Sequence, residues 1–81
     1  MKAAVRVFAL ARQLAGRESL VVDLPPGATV ADLRRAIADQ HPALAGLVAQ
    51  ALFAVNADYA TDATPISAGA DLACIPPVSG G

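Results

Sequence analysis

At the carboxyl end of the chain, an apolar run gives way to prolines and glycines: residues 72–81 are LACIPPVSGG. The first four residues, 72–75, have the continuous apolar character of a buried strand. The two prolines that follow cannot donate hydrogen bonds to a neighbouring strand, so the strand has to end before them. The pattern predicts a domain over residues 1–75 and an extended, flexible tail over residues 76–81.

The tail ends in two glycines, and its terminal carboxylate is the one reactive group that the sequence singles out. Because Gly80 and Gly81 have no side chains, this end of the backbone fits a narrow channel. Six residues of about 3.3 Å each extend at most ~20 Å. A carboxylate with a pKa of ~3.5 is ionised and a poor electrophile, so it needs activation, for example by adenylation. No nucleotide-binding motif accompanies it, which predicts that another protein performs the activation.

Composition indicates one small domain with an aliphatic core. The chain has 81 residues, of which 56% are hydrophobic and 16% charged, and a domain of this size buries ~60% of its unfolded surface. A formal net charge of −1 argues against nucleic acid as the main partner. One cysteine excludes an internal disulfide and suits a reducing compartment. Without a visible leader or a ~20-residue apolar span, we expect a cytoplasmic protein with no membrane partner.

Apolar runs predict a sheet of four to five strands. The runs are residues 2–10, 19–24, 53–56, 59–63 and 72–75. The first two are close in sequence and separated by a short helical turn at residues 11–15, so we expect them to pair antiparallel. The first and last runs are apolar enough to be neighbours at the centre of the sheet.

The main helix has the clearest boundaries in the sequence. Thr29 is a suitable N-cap, and Asp32 stands three positions later, as in a capping box. Apolar residues then recur at helical spacing, and the proline after His41 ends the helix. A second helical piece, interrupted at Gly46, is predicted for residues 43–52.

The resulting order, β-β-α-β-β, predicts an α+β fold. One helix on one face of a mixed sheet is an economical two-layer arrangement for this length. This is the β-grasp, or ubiquitin-like, arrangement: a mixed sheet of four to five strands, one main helix and a flexible C-terminal tail.

Three stretches of the chain resemble the β-grasp sulfur carriers, and among them the small subunit of molybdopterin synthase. They are FALARQLAG at residues 8–16, AVN at residues 54–56 and PPVSGG at residues 76–81. The tail is the most specific of the three, because Pro-Pro-Val-Ser precedes a Gly-Gly end that many ubiquitin-like proteins share. The chain departs from the family at Cys74 and Ile75, where family members often have aromatic residues.

The resemblance implies a role in molybdenum cofactor biosynthesis. In the family, an adenylating partner similar to ubiquitin-activating enzymes uses ATP to form an acyl-adenylate on the terminal glycine, which then becomes a thiocarboxylate. Inside the large subunit of molybdopterin synthase, the tail gives its sulfur to cyclic pyranopterin monophosphate. Two such donations build the dithiolene that later holds molybdenum.

The resemblance also implies which residues form the site. Gly81 is the reacting terminus, and the remaining catalytic groups belong to the large subunit of a heterotetramer. No metal or cofactor is expected on the chain itself. Partner contacts are implied for Gly80, Ser79, Val78, Pro77, Pro76, Ile75 and Phe8.

Other functions remain open at this point. Sulfur delivery to thiamine or to tRNA thiolation uses the same tail chemistry. A ubiquitin-like modifier joins its terminal carboxyl group to lysines of target proteins, and it shares the adenylation step with a carrier. An interaction domain with an idle tail is the fourth alternative.

Four other features have two interpretations each. Cys74 is either a sulfur relay or a small buried strand residue. His41 is either an isolated ligand or base, or a favourable cation at a helix end. Arg34-Arg35 is either a solvated helix face or a partner contact. Phe8 belongs either to the core or to an exposed docking patch on the sheet.

Overall fold

The computed structural model describes residues 1–77, which form a five-stranded mixed sheet with its helices on one face. The elements are β1 (Lys2–Val7), α1 (Ala9–Ala15), β2 (Ser19–Asp23), α2 (Val30–Gln40), a 3-10 turn (Pro42–Leu44), α3 (Ala45–Val48), β3 (Leu52–Val55), β4 (Asp58–Ala60) and β5 (Leu72–Ile75). The strand order is β2-β1-β5-β3-β4, which confirms the predicted β-grasp arrangement. Within these residues, no helix is long and apolar enough to cross a membrane.

The first and last strands are central neighbours, as the sequence predicts. β1 and β5 run parallel, with Val5 opposite Leu72 and Val7 opposite Cys74. β2 adds to β1 and β3 adds to β5, both antiparallel. Because β5 has a strand on each side and the core beneath it, its first three residues are buried. This burial explains why the strand lacks polar alternation.

The predicted capping box at the start of α2 is present. The backbone N–H of Thr29 donates to Asp32 Oδ2 at 2.9 Å, and the Thr29 hydroxyl lies 3.2 Å from the same oxygen. These hydrogen bonds, with a smaller contribution from Arg35, hold the pKa of the Asp32 carboxyl below its ordinary value. The cap fixes where α2 begins, and so which residues face the sheet: Val30, Leu33 and Ile37 are fully buried.

Several predicted boundaries differ from the structure, and three of the differences have a local cause. β1 ends at Val7 instead of continuing to residue 10, because the following ALARQLA consists of good helix formers and begins α1 at Ala9. Gly46 does not interrupt the second helical piece, since it lies inside α3. β4 ends at Ala60, because the chain then turns and Thr61 N donates to Thr64 Oγ1 at 3.1 Å.

The prediction of a solvated face is right for Arg35 and wrong for Arg34. The Arg35 side chain is 71% exposed, whereas the Arg34 side chain is 25% exposed. Arg34 Nη1 donates to the carbonyl oxygens of Val48 and Ala51, the latter at 2.8 Å. The carbonyl groups at a helix end have no partner within the helix. Helical periodicity placed Arg34 on the solvated face with Arg35 and did not reveal that α3 ends within its reach.

The same guanidinium makes two further contacts. Arg34 Nη2 lies 2.9 Å from Asp62 Oδ1, and the guanidinium carbon lies 4.9 Å from the ring centroid of Phe53. A planar fork with several donors suits this combination of a carboxylate, two carbonyl oxygens and an aromatic face. Arg34 therefore joins α2 to α3 and to the loop after β4.

Replacing Arg34 with methionine should lower the free energy of unfolding by ~2–3 kcal/mol, because the carbonyl groups of Val48 and Ala51 lose a charged donor. Arg34→Lys should recover only part of this loss, since one ammonium group does not reproduce the fork. Arg35→Met is the matched control on the same helix and should change stability by less than ~0.5 kcal/mol. Urea unfolding followed by circular dichroism measures all three, and equal values for the two methionine variants would contradict this role.

Candidate functional site

The predicted reacting terminus lies outside the described residues. Gly81 and the predicted contact residues Gly80, Ser79 and Val78 all follow residue 77. The predicted extended tail is therefore described only at its first two residues. The structure gives the root of the tail and the surface that surrounds it.

The tail begins at the centre of the sheet. Ile75, the last residue of β5, lies opposite Leu52 of β3. Pro76 is buried and Pro77 is exposed, so the backbone reaches the protein surface at Pro77. The division of the chain between residues 75 and 76 stays a prediction.

An apolar row crosses the outer face of the sheet at the tail root. Val7 lies opposite Cys74, so the next residue, Phe8, is level with Ile75, which is level with Leu52. Phe8 has an extended backbone and continues the alternation of β1, so its side chain points away from the core. Phe8 is 42% exposed and Leu52 is 54% exposed. We call Phe8, Ile75 and Leu52 the apolar row.

This position decides between the two interpretations of Phe8. The core interpretation is wrong, because Phe8 is exposed on the sheet; a docking role for this residue stays a prediction. Leu52 was predicted as the end of a helical piece, but it begins β3 and is exposed beside the buried Phe53. Its place in the row follows from the register of β3 with β5, which the sequence does not show.

Two arginines border the apolar row. The guanidinium carbon of Arg6 lies 5.9 Å from the Phe8 ring centroid, and Arg6 Nη2 lies 2.9 Å from Asp71 Oδ2. Arg12 lines a surface cavity of about 410 Å³ together with Arg6 and Phe8, and its Nη2 lies 3.0 Å from Glu18 Oε1. Both ion pairs are exposed and hold their partners weakly, at ~0–1 kcal/mol each. Both guanidinium groups therefore remain available for a negatively charged partner.

Cys74 is a buried strand residue, as one of its two interpretations predicts. Its side chain is fully buried, and burial raises the pKa of the thiol to about 11, although the charge of Arg34 acts in the opposite direction. A thiol that stays protonated is a poor nucleophile. The structure therefore gives no support to a sulfur relay at Cys74.

The other candidate side chains do not assemble into a site. His41 Nε2 lies 3.3 Å from the carbonyl oxygen of Val21 in the edge strand β2, well away from the tail root. Within residues 1–77, no three His, Cys, Asp or Glu side chains are grouped closely enough to hold a metal ion. The apolar row and its two arginines are thus the surface that the structure places beside the tail.

Comparison with known proteins gives a family match over nearly the whole chain. Residues 5–81 match the model of the ThiS family. The chain is 36% identical to the molybdopterin synthase sulfur carrier subunit of Chlamydomonas reinhardtii, with 100% of each sequence covered. It is 34% identical to the subunit of the same name from Arabidopsis thaliana, with 95% of this chain and 80% of that protein covered.

Solved structures give a close match as well. The small archaeal modifier protein SAMP1 of Haloferax volcanii superposes with a TM-score of 0.84 at 30% identity, with 100% of both chains covered.

Burial of Cys74 has a consequence for stability in alkali. The unfolded thiol ionises near its ordinary pKa of 9.0, and the folded thiol near about 11. The contribution of the buried thiol to the free energy of unfolding is therefore complete below pH 9. It falls as the pH rises, and ~2 kcal/mol is lost at pH 11. Cys74→Ala keeps the other groups that titrate in alkali, so its free energy of unfolding should fall less steeply with pH than that of the parent chain. Urea unfolding between pH 8 and pH 11 measures the free energy of unfolding of both chains. An equal dependence on pH in the two chains would contradict a buried thiol with a raised pKa.

Proposed function

Since the chain belongs to the ThiS family, we propose that it is a sulfur carrier that acts through the carboxyl group of Gly81, as the sulfur carrier subunit of a molybdopterin synthase. The observation that carries the proposal is the position of the tail. It leaves from the end of the central strand β5, beside the apolar row. The family match extends to residue 81, and the curated relatives carry that subunit's name.

The proposed chemistry proceeds in two stages at the terminal carboxyl group. A carboxylate oxygen attacks the α-phosphate of ATP in an adenylating partner, pyrophosphate leaves, and an acyl-adenylate forms. A sulfide equivalent (HS⁻) then attacks the acyl carbon, AMP leaves, and loss of a proton gives the thiocarboxylate. Thiocarboxylate sulfur is a far better nucleophile than carboxylate oxygen. ATP is thus a substrate of the partner, and this chain holds no cofactor.

Sulfur transfer follows in the large subunit of the synthase. The thiocarboxylate sulfur attacks a carbon of cyclic pyranopterin monophosphate and displaces an oxygen substituent from that carbon. Water then cleaves the acyl–sulfur bond, which leaves the sulfur on the pterin product and returns the carboxylate. Acids and bases for this step belong to the large subunit. The chain contributes reach: from Pro77 to Gly81, five residues extend at most ~17 Å, enough to enter a deep site while the domain stays outside. We place this reaction in the cytoplasm.

The apolar row is the proposed docking surface for the large subunit. Exposed Phe8 and Leu52 flank the tail root, and the guanidinium groups of Arg6 and Arg12 border the row. An apolar centre with a charged border is the usual composition of a protein interface. Docking here directs the tail into the partner, and the arginines favour an acidic rim on the partner surface.

A second candidate function is supported by the similarity to a small archaeal modifier protein. A modifier shares the acyl-adenylate but transfers the acyl carbon to a lysine amine of a target protein. The two functions differ in product. Intact mass after co-expression with the adenylating enzyme separates them, because sulfur replaces one oxygen at Gly81 in a carrier, whereas adducts on other proteins form with a modifier.

Removing Gly81, or adding one residue after it, should abolish thiocarboxylate formation and sulfur transfer. Either change moves the carboxyl group by about 3.3–3.6 Å, far beyond the ~1 Å misplacement that costs a reaction ~100-fold. The thermal unfolding midpoint should be unchanged, because the last strand that the structure describes ends at Ile75, six residues before Gly81. Sulfur incorporation is read by intact mass, and a variant that keeps full sulfur transfer would refute the mechanism.

Phe8→Ala should weaken binding to the purified large subunit ~30-fold, the ~2 kcal/mol expected of an aromatic interface anchor. Val21→Ala is the matched control, because Val21 is 56% exposed on the same sheet face but lies in the edge strand β2, opposite Ala4 and four residues before the level of Phe8. It should bind as the parent chain does. Isothermal titration calorimetry measures the affinities, and an equal loss in both variants would exclude the apolar row as the specific docking surface.

A further inference from the structure

The positive charge of this chain comes almost entirely from arginine. The sequence has five arginines and one lysine, Lys2. Arg6 and Arg12 border the apolar row, next to the root of the tail. Lys2 lies at the opposite end of β1, where its Nζ is 3.1 Å from Asp23 Oδ1. Cations beside the tail root are thus arginines, and the only side-chain amine is distant from it.

This distribution matters because an activated carboxyl terminus is an electrophile. A lysine amine has a pKa of ~10.4 and supplies some neutral amine near pH 7–8. That amine attacks acyl-adenylates and thioesters. A guanidinium group stays protonated and has no free lone pair to donate. Arginine therefore provides the same charge without a nucleophile.

Distance separates the two available amines from the terminus. Arg6 is level with Ala73, only two residues before Ile75, and well within the ~17 Å span of five tail residues. Lys2 lies six residues before Phe8, which is ~20 Å along a strand. The Met1 ammonium is at the same far end and donates to the carbonyl oxygen of Leu24 at 2.6 Å. The terminus approaches either amine only at full extension.

We propose that the amine-free surroundings of the tail root protect the activated C-terminus from acylating its own chain. The proposal rests on the activation of Gly81 proposed above. In the reaction that is avoided, an amine nitrogen attacks the acyl carbon of Gly81. The new C–N bond replaces the bond to the leaving group, and the amine proton passes to solvent. The product is a lactam within one chain, or an isopeptide-linked dimer, and neither has a carboxyl terminus left to carry sulfur.

The test places an amine beside the tail root and activates the terminus without any partner enzyme. The chain is released from an intein fusion as a small-molecule thioester at Gly81 and incubated at pH 8 and ~10 μM. Arg6→Lys and Arg12→Lys each introduce one amine near the apolar row. Arg35→Lys is the matched control, because Arg35 lies on the exposed side of α2, with the helix and the sheet between it and the outer face.

The parent chain and Arg35→Lys should hydrolyse to the free acid. Arg6→Lys and Arg12→Lys should give a product that is lighter than the acid by one water, with Gly81 joined to the introduced amine in peptide maps. A tethered amine acts at an effective concentration of about 1 mM, so lactam should exceed linked dimer by ~100-fold at this protein concentration.

Two results would overturn the proposal: no lactam in either tail-root variant, or as much self-linked product in the parent chain as in those variants. Sulfur incorporation by the unaltered chain with its adenylating enzyme is scored separately. Failure of that assay would contradict the proposed sulfur-carrier function. The thioester experiment tests self-acylation alone, because it needs no adenylating enzyme.

Discussion

Parallel pairing of β1 with β5 is the constraint on which the structure depends. It joins the two ends of the described chain at the centre of the sheet, with Val5 opposite Leu72 and Val7 opposite Cys74. A parallel pair needs a crossover, and here the crossover contains α2, α3 and the β3–β4 hairpin. Contacts between residues so distant in sequence form at a high entropic cost. Their burial against α2 offsets that cost and makes the strand that leads to the tail one of the best-supported elements of the fold.

The same pairing places Phe8 and the root of the tail at one end of the molecule. Because β1 and β5 run in the same direction, the residue after β1 and the last residue of β5 emerge side by side. Phe8 and Ile75 are therefore neighbours, although they are 67 positions apart in the sequence. An antiparallel pairing would have put Phe8 at the opposite end of β5 from the tail. The apolar surface at the tail root therefore depends on the register of β1 with β5 as much as on the presence of apolar residues in the sequence.

Local signals in the sequence were sufficient for most of the fold. The apolar run before the prolines gave β5 with its observed boundaries, and Thr29 with Asp32 gave the start of α2, because both depend on chemistry within a few residues. The place of Leu52 in the apolar row and the contacts of Arg34 with the two carbonyl groups depend on residues 14 to 23 positions away. Periodicity assigns a face to a residue, but not the partner that tertiary packing brings to that face.

The small size of the apolar row limits the binding affinity that it could give to a carrier. Three half-buried side chains gain ~1–2 kcal/mol each on further burial, and association costs at least ~4 kcal/mol. The row alone therefore supports only weak binding, so in the proposed carrier most of the affinity would come from the tail. A carrier that visits an activating enzyme and then an acceptor has to dissociate from the first. With the affinity concentrated in the tail, a change in the chemistry of its terminus alters the preference between partners, while the folded domain stays the same.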